Sequence, residues 1–153
     1  MSVTVVEGDL LDQDVEVIVN AWNRNIIPWW LLIPQGVSGA IKRRAGTMPF
    51  RELGYRPLPL GAARVTGAGR LPHRAIIHVA GINMLWRSSV DGIRDCVTAA
   101  MAEAERLSCA SIALPIIGAG SGGMSEDTAL AVIMDTLRAL EPTMRVVVVR
   151  FVR

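Results

Sequence analysis

Residues 144–152 read MRVVVVRFV, and four consecutive valines restrict what can surround them. β-Branched side chains are stiff and fit a pleated, half-buried surface. Successive side chains of a strand point to opposite faces, so an unbroken apolar run needs cover on both. Met144 to Val152 is therefore expected to be a strand central in a sheet, with a layer packed on either side. Val15 to Asn20 is a second near-continuous apolar run with the same requirement. Buried strands of this kind belong to parallel sheets, whose crossover helices supply the two outer layers.

Those helices are legible. Val90, Ile93, Val97, Ala100, Met101 and Ala104 recur at helical spacing within Ser89 to Leu107. Glu126 to Leu140 is a second helix, with Ser125 placed to cap it. From Gly36, the positions Val37, Ala40, Ile41, Arg44 and Ala45 form one stripe that Gly46 closes. Ser2 to Val6, Ala62 to Thr66, Ala75 to Val79 and Ser111 to Leu114 read as further strands, with GAGRLP as a turn between two of them. Residues 47–60 hold three prolines and a glycine and read as a loop or a broken helix. The expected fold is a three-layer α/β/α domain over residues 1–153, built on a central mixed, mostly parallel sheet. A chain of 153 residues that is 51% apolar can bury a full core without staples.

Charge and cysteines narrow the setting. A net charge of +2 is far from the strongly basic balance of a dedicated nucleic-acid binder. The charge is unevenly spread, however. Residues 1–20 carry Glu7, Asp9, Asp12, Asp14 and Glu16 with no basic partner. Lys42, Arg43, Arg44, Arg51, Arg56, Arg64, Arg70 and Arg74 then face Glu52 alone in residues 42–74. A solvated face is the preferred reading; a rim that attracts a phosphorylated or nucleic-acid ligand is the sharper one. Cys96 and Cys109 make neither a disulfide framework nor a CxxC pair, which points to a reducing compartment. Met1 is followed by an acidic segment, and Ile26 to Ile33 is interrupted by Pro28 and too short to cross a bilayer. A cytoplasmic protein with no membrane partner is expected.

Two loops can carry chemistry at the carboxyl ends of such strands. NAWNRNIIPWWLLIPQGVSGAI, residues 20–41, follows the buried Val15–Asn20 run. PIIGAGSGG, Pro115 to Gly123, follows a strand and precedes a helix, and its glycines let backbone amides approach an anion. It is neither the GxxxxGK(S/T) phosphate loop nor the GxGxxG dinucleotide fingerprint.

Together with the residues around them and three other segments, these loops resemble the macro domain, an ADP-ribose-binding module. GDLL at residues 8–11 is similar to its GD element after the first strand. VIVNAWN, Val17 to Asn23, resembles its IVNAAN, with Trp22 for the second alanine. QGVSGAIKRRAG, Gln35 to Gly46, resembles the GGVDGAI-x-x-AAG loop and helix. GAARVTGAGRLP, AIIHVAG and SIALPIIGAGSGG match three more segments in order, so that the likeness covers essentially the whole chain.

The resemblance implies that Asp9 accepts from an adenine amino group while the Leu10 N–H bonds a ring nitrogen. A carboxylate suits an exocyclic amine, although an aspartate after a strand also serves as a helix N-cap. Asn23 would bind the distal ribose diol, with Ala21 beside it and Asn20 holding the loop by side-chain to backbone bonds. Gln35, Gly36, Val37 and Ser38 would line one side of the pyrophosphate. Pro115, Ile117, Gly118, Ala119, Gly120, Ser121 and Gly122 would line the other. Two neutral amide cradles can hold a dianion with no metal and no cofactor. IIPWWLLIP departs from the family pattern, and Trp29 and Trp30 read as a plug beneath the loop, ahead of a lid or an oligomer contact.

Whether the chain is an enzyme stays open. Where hydrolysing members carry an aspartate after the valine of GGVDG, this chain has Ser38, a weak base at neutral pH. Residues 21–50 contain no Asp, Glu or His, and the aromatic that packs over the distal ribose is matched by Gly122. Lys42 lies on a helix and reads as solvated. His78 reads as a hydrogen-bonded core residue and His73 as exposed, so neither forms a Ser-His-Asp triad or a metal site. The first reading is binding of ADP-ribose or its derivatives. The alternative is an ADP-ribosyl hydrolase or O-acetyl-ADP-ribose deacetylase in which the ligand's phosphate helps water attack, with Asn23 and Ser38 as candidate catalytic residues. A third reading adds nucleic acid as partner through the Lys42–Arg74 region.

Overall fold

A computed structural model of the chain describes residues 2–23, 36–53, 61–82, 89–118 and 124–151. Six strands, β1 (Ser2–Gly8), β2 (Val17–Asn23), β3 (Ala63–Thr66), β4 (Ala75–Ile82), β5 (Ser111–Pro115) and β6 (Arg145–Phe151), form one sheet in the order β1-β6-β5-β2-β4-β3. Every ladder is parallel except β3 against β4, so the sheet is mixed and mostly parallel. The helices are α1 (Gly36–Ala45), α2 (Met48–Leu53), α3 (Val90–Arg106) and α4 (Glu126–Leu140).

The valine run is where its composition requires. β6 lies between β1 and β5, and its four valines divide between two cores. Val146 and Val148 join Val17, Val19, Ile77, Val79, Ile112 and Leu114 on the face covered by α3 and α4. Val147 and Val149 join Ile18, Ile76 and Ala113 on the face covered by Ile41 and Ala45 of α1 and Phe50 of α2. Each fully buried Ile or Leu contributes about 1.5–3 kcal/mol by leaving water, so neither face can be uncovered cheaply.

Helix boundaries follow their caps. The Ser89 hydroxyl accepts from the Gly92 N–H at 3.0 Å at the start of α3. The Ser125 hydroxyl accepts from the Thr128 N–H at 3.2 Å at the start of α4. Residues 47–60 resolve in part into α2, which turns Phe50 under the sheet. The second strand runs further than its sequence implied. It continues past Asn20 to Asn23, because the ladder with β4 carries on to Ile82, with a register shift between Trp22 and Asn23.

Both cysteines are buried and unpaired. Burial pushes the Cys96 thiol up to about 12, and the Cys109 thiol is raised by the same cause. The thiolate is the reactive form, so both should resist alkylation in the native protein. A thiol-counting reagent at neutral pH is expected to titrate neither group until denaturant is added, and then both.

Candidate functional site

β2 and β5 are parallel neighbours, pairing Val17 with Ile112 and Ile18 with Ala113. Their outgoing connections diverge. After β2 the chain enters α1, on one face, and proceeds toward β3 and β4. After β5 it enters α4, on the opposite face, and proceeds to β6. Adjacent strands whose connections leave in opposite directions open a crevice at their carboxyl ends, the place where open α/β sheets take ligands. The two loops singled out in the sequence spring from those two strand ends. β1 is parallel to β6 and β6 to β5, so Gly8 and Asp9 emerge at the same end of the sheet.

The β5 side begins as a tight turn. Pro115 is buried, and its carbonyl accepts from the Ile117 N–H at 3.0 Å. Gly118, also buried, has φ +93°, a conformation that a residue with a Cβ adopts only under strain. Ala119, Gly120, Ser121 and Gly122 lie outside the described residues. On the β2 side, Gly36, Val37 and Ser38 form the first turn of α1, where backbone N–H groups have no acceptor within the helix. That turn carries no acidic residue, while Lys42, Arg43 and Arg44 occupy the last turn, in keeping with the helix dipole. Gln35, Asn25 and the Trp29–Trp30 pair lie outside the described residues.

Asp9 follows β1 as an N-cap. Its Oδ1 accepts from the Leu11 N–H at 2.9 Å, opening a 3-10 turn over Leu10–Asp12. The second oxygen, Oδ2, faces Arg44 Nη1 at 3.9 Å, and the same nitrogen bonds Asp12 Oδ1 at 2.9 Å. One carboxylate oxygen is thus committed to the fold, and the other sits at the half-exposed strand end.

Asn20 is fully buried, and its side-chain amide is turned to an imidazole on the neighbouring strand, a partner not anticipated from the sequence. Asn20 Nδ2 lies 2.9 Å from His78 Nδ1, and His78 Nε2 lies 2.8 Å from Thr66 Oγ1. The proton positions follow from the far end. The Thr66 hydroxyl donates to the Gly67 carbonyl at 3.0 Å, so His78 Nε2 must carry a proton and donate to Thr66. Nδ1 is then the acceptor, and Asn20 presents its NH2. The ring is neutral: burial first, and then Arg64, opposite it on β3, together lower the His78 pKa to about 3. Phe50 closes the pocket edge-on, with ring centroids 6.1 Å apart. The sequence carried a signal for this chain of bonds, namely an amide and an imidazole each set in an otherwise apolar strand.

His73, expected to be exposed, is buried and donates from Nε2 to the Gln13 carbonyl at 3.1 Å. The turn before β4 folds under the residues that follow the 3-10 turn, a contact between segments 60 positions apart. The acidic first twenty residues find partners in the basic stretch: Arg44 meets Asp9 and Asp12, and Arg74 meets Glu16 at 3.9 Å. Arg43, Arg51 and Arg70 are exposed, and Arg56 lies outside the described residues. Among the described residues no group of three or more His, Cys, Asp or Glu could hold a metal ion, and no helix is long and apolar enough to cross a membrane.

The sequence matches the Macro domain family over residues 19–133. It is 38% identical over 160 residues to a macro domain-containing protein of Streptomyces griseus, covering 98% of this chain and 86% of that one. Among solved structures, the Oceanobacillus iheyensis macrodomain with ADP is 28% identical, with a TM-score of 0.78 over 97% of this chain and 82% of that chain. The Trypanosoma brucei macrodomain in complex with ADP-ribose is 25% identical, with a TM-score of 0.81 over 96% of this chain and 63% of that chain.

Proposed function

The chain belongs to the macro domain family, and on that premise we propose that it binds ADP-ribose or an ADP-ribose derivative across the carboxyl ends of β1, β5 and β2. The observation that carries this reading is the divergence of the connections after β2 and β5, which makes their carboxyl ends a switch point of the kind where open α/β sheets take ligands. The adenine would lie at Asp9 and Leu10. The pyrophosphate would lie between Gln35–Ser38 and Pro115–Gly122, and the distal ribose at Ala21 and Asn23. The solved relatives carrying ADP and ADP-ribose support the same ligand class. Partial positive charge at the first turn of α1 suits a diphosphate.

Calorimetry with free ADP-ribose tests the reading; millimolar ligand giving neither heat nor a thermal shift would refute it. Asp9→Asn sharpens the test. The amide oxygen can keep the cap to Leu11, while its NH2 meets the adenine amine donor to donor. ADP-ribose affinity is expected to fall about tenfold or more with the unfolding midpoint nearly unchanged. Cleavage is a finer question for the same site. Release of ADP-ribose from a modified protein or nucleic acid, or of acetate from the acetyl ester, would make the chain a hydrolase, and Asn23→Ala should then abolish turnover.

A further inference from the structure

The bond chain from Asn20 to Gly67 does more than satisfy buried groups. It ties three strands together on the face covered by α1 and α2: Asn20 is on β2, His78 on β4, and Thr66 on β3. All three side chains are buried, with exposures of 0, 0 and 3%. Each hydrogen bond depends on the next for its direction, because the hydroxyl proton on Gly67 fixes the imidazole tautomer and the tautomer fixes the Asn20 amide. Asn20 is fully buried, Ala21 after it is only partly so, and the register shift follows at Trp22/Asn23. Beyond it the strand becomes the ribose side of the proposed cleft.

We propose that His78 and Thr66 are positioning residues that hold the carboxyl end of β2, through the Asn20 amide, in the conformation that receives the distal ribose of the ligand. This inference rests on the ADP-ribose reading given above. The physical reason is that a strand end without such a tether is free to move where ladder bonding becomes irregular. A buried amide that loses a hydrogen-bond partner rotates or draws in water, because an unmade buried hydrogen bond is costly. Either response moves the backbone that Ala21 and Asn23 share. The adenine contacts at Asp9 and the pyrophosphate contacts at Pro115–Gly118 would be spared, since these residues follow β1 or end β5, strands outside the bond chain.

That asymmetry gives the test. ADP contains the adenine and pyrophosphate but lacks the distal ribose, so the ratio of ADP-ribose affinity to ADP affinity isolates the end of β2. Both ligands are titrated calorimetrically into the wild type, His78→Leu, His78→Gln and Thr66→Val. His78→Leu is expected to lower ADP-ribose affinity about tenfold while ADP affinity stays within about threefold. His78→Gln can accept from Asn20 and donate to Thr66, so it should restore most of the ratio. Thr66→Val releases the tautomer and should lower the ratio in the same direction, and it carries the test if His78→Leu does not fold. Variants that weaken both ligands equally would reduce the bond chain to a purely structural role and overturn the proposal, as would an unchanged ratio. A wild type that binds ADP-ribose no better than ADP would instead refute the assignment of the distal ribose to this strand end, which is a failure of the binding reading itself.

Discussion

Acidification from pH 6.5 to 3 is expected to remove about 1.4 kcal/mol of folding stability per pH unit through His78 alone. The native ring is held neutral by burial first and by Arg64 second, so its pKa drops from 6.5 to about 3. The unfolded chain binds a proton to this histidine below 6.5, whereas the native state does not until about 3. Throughout that window the unfolded state holds more protons, and stability must rise with pH. The contribution is complete above 6.5 and lost as pH falls. Summed over the window it is on the order of 5 kcal/mol, comparable with the entire stability of a small domain. Protonation would also destroy the acceptor that Asn20 uses, and would set a buried charge beside Arg64. Urea unfolding at a series of pH values from 7 to 4 measures the slope. His78→Gln has no titrating ring, so its curve should be shallower by about one proton. If wild type and variant run parallel, another group drives the acid limb.

Gly69→Ala is expected to destabilise the protein by about 2–4 kcal/mol, from two additive causes. The residue sits at φ +59°, where L side chains are strained, and a Cβ there would lie 2.4 Å from the Ala45 carbonyl oxygen. That carbonyl belongs to the last turn of α1 and cannot swing away, because it already accepts from the Arg70 N–H at 3.0 Å. Pro49 Cδ, at 3.2 Å, closes another side. The turn after β3 therefore docks backbone to backbone on the end of the helix whose first turn borders the proposed cleft. Gly67→Ala is the control. Its nearest neighbour would be Glu52 Oε1 at 3.1 Å, the far end of a flexible side chain, so its cost should stay below about 1 kcal/mol. Equal losses for the two variants in chemical denaturation would show that the Ala45 contact is not what makes position 69 intolerant.

Much of the architecture was legible because it rests on local periodicity. Four valines in a row can only be a strand covered twice, and Ser89 and Ser125 mark where helices begin because their hydroxyls satisfy orphan N–H groups within the same turn. The two loops could be recognised by composition, since repeated glycine and asparagine have few other uses in a well-packed chain. The Asp9 cap was legible too, as one of two readings, because it bonds a residue two positions away. α2 was harder to see: it is short, carries a proline at its second position, and holds its place through Phe50 against a sheet the sequence cannot display.

By itself the sequence determined the alternation of strands and helices, the two covered faces, and which loops are rich in amides, because each follows from residues in contact with near neighbours along the chain. Only the tertiary structure decided that β2 and β5 lie side by side, that the acidic first segment meets Arg44 and Arg74, and that His73 turns inward. It alone joined Asn20, His78 and Thr66. These pairings span tens of positions, and their partners are chosen by strand order and register, which depend on how the whole apolar surface is buried at once rather than on any local preference.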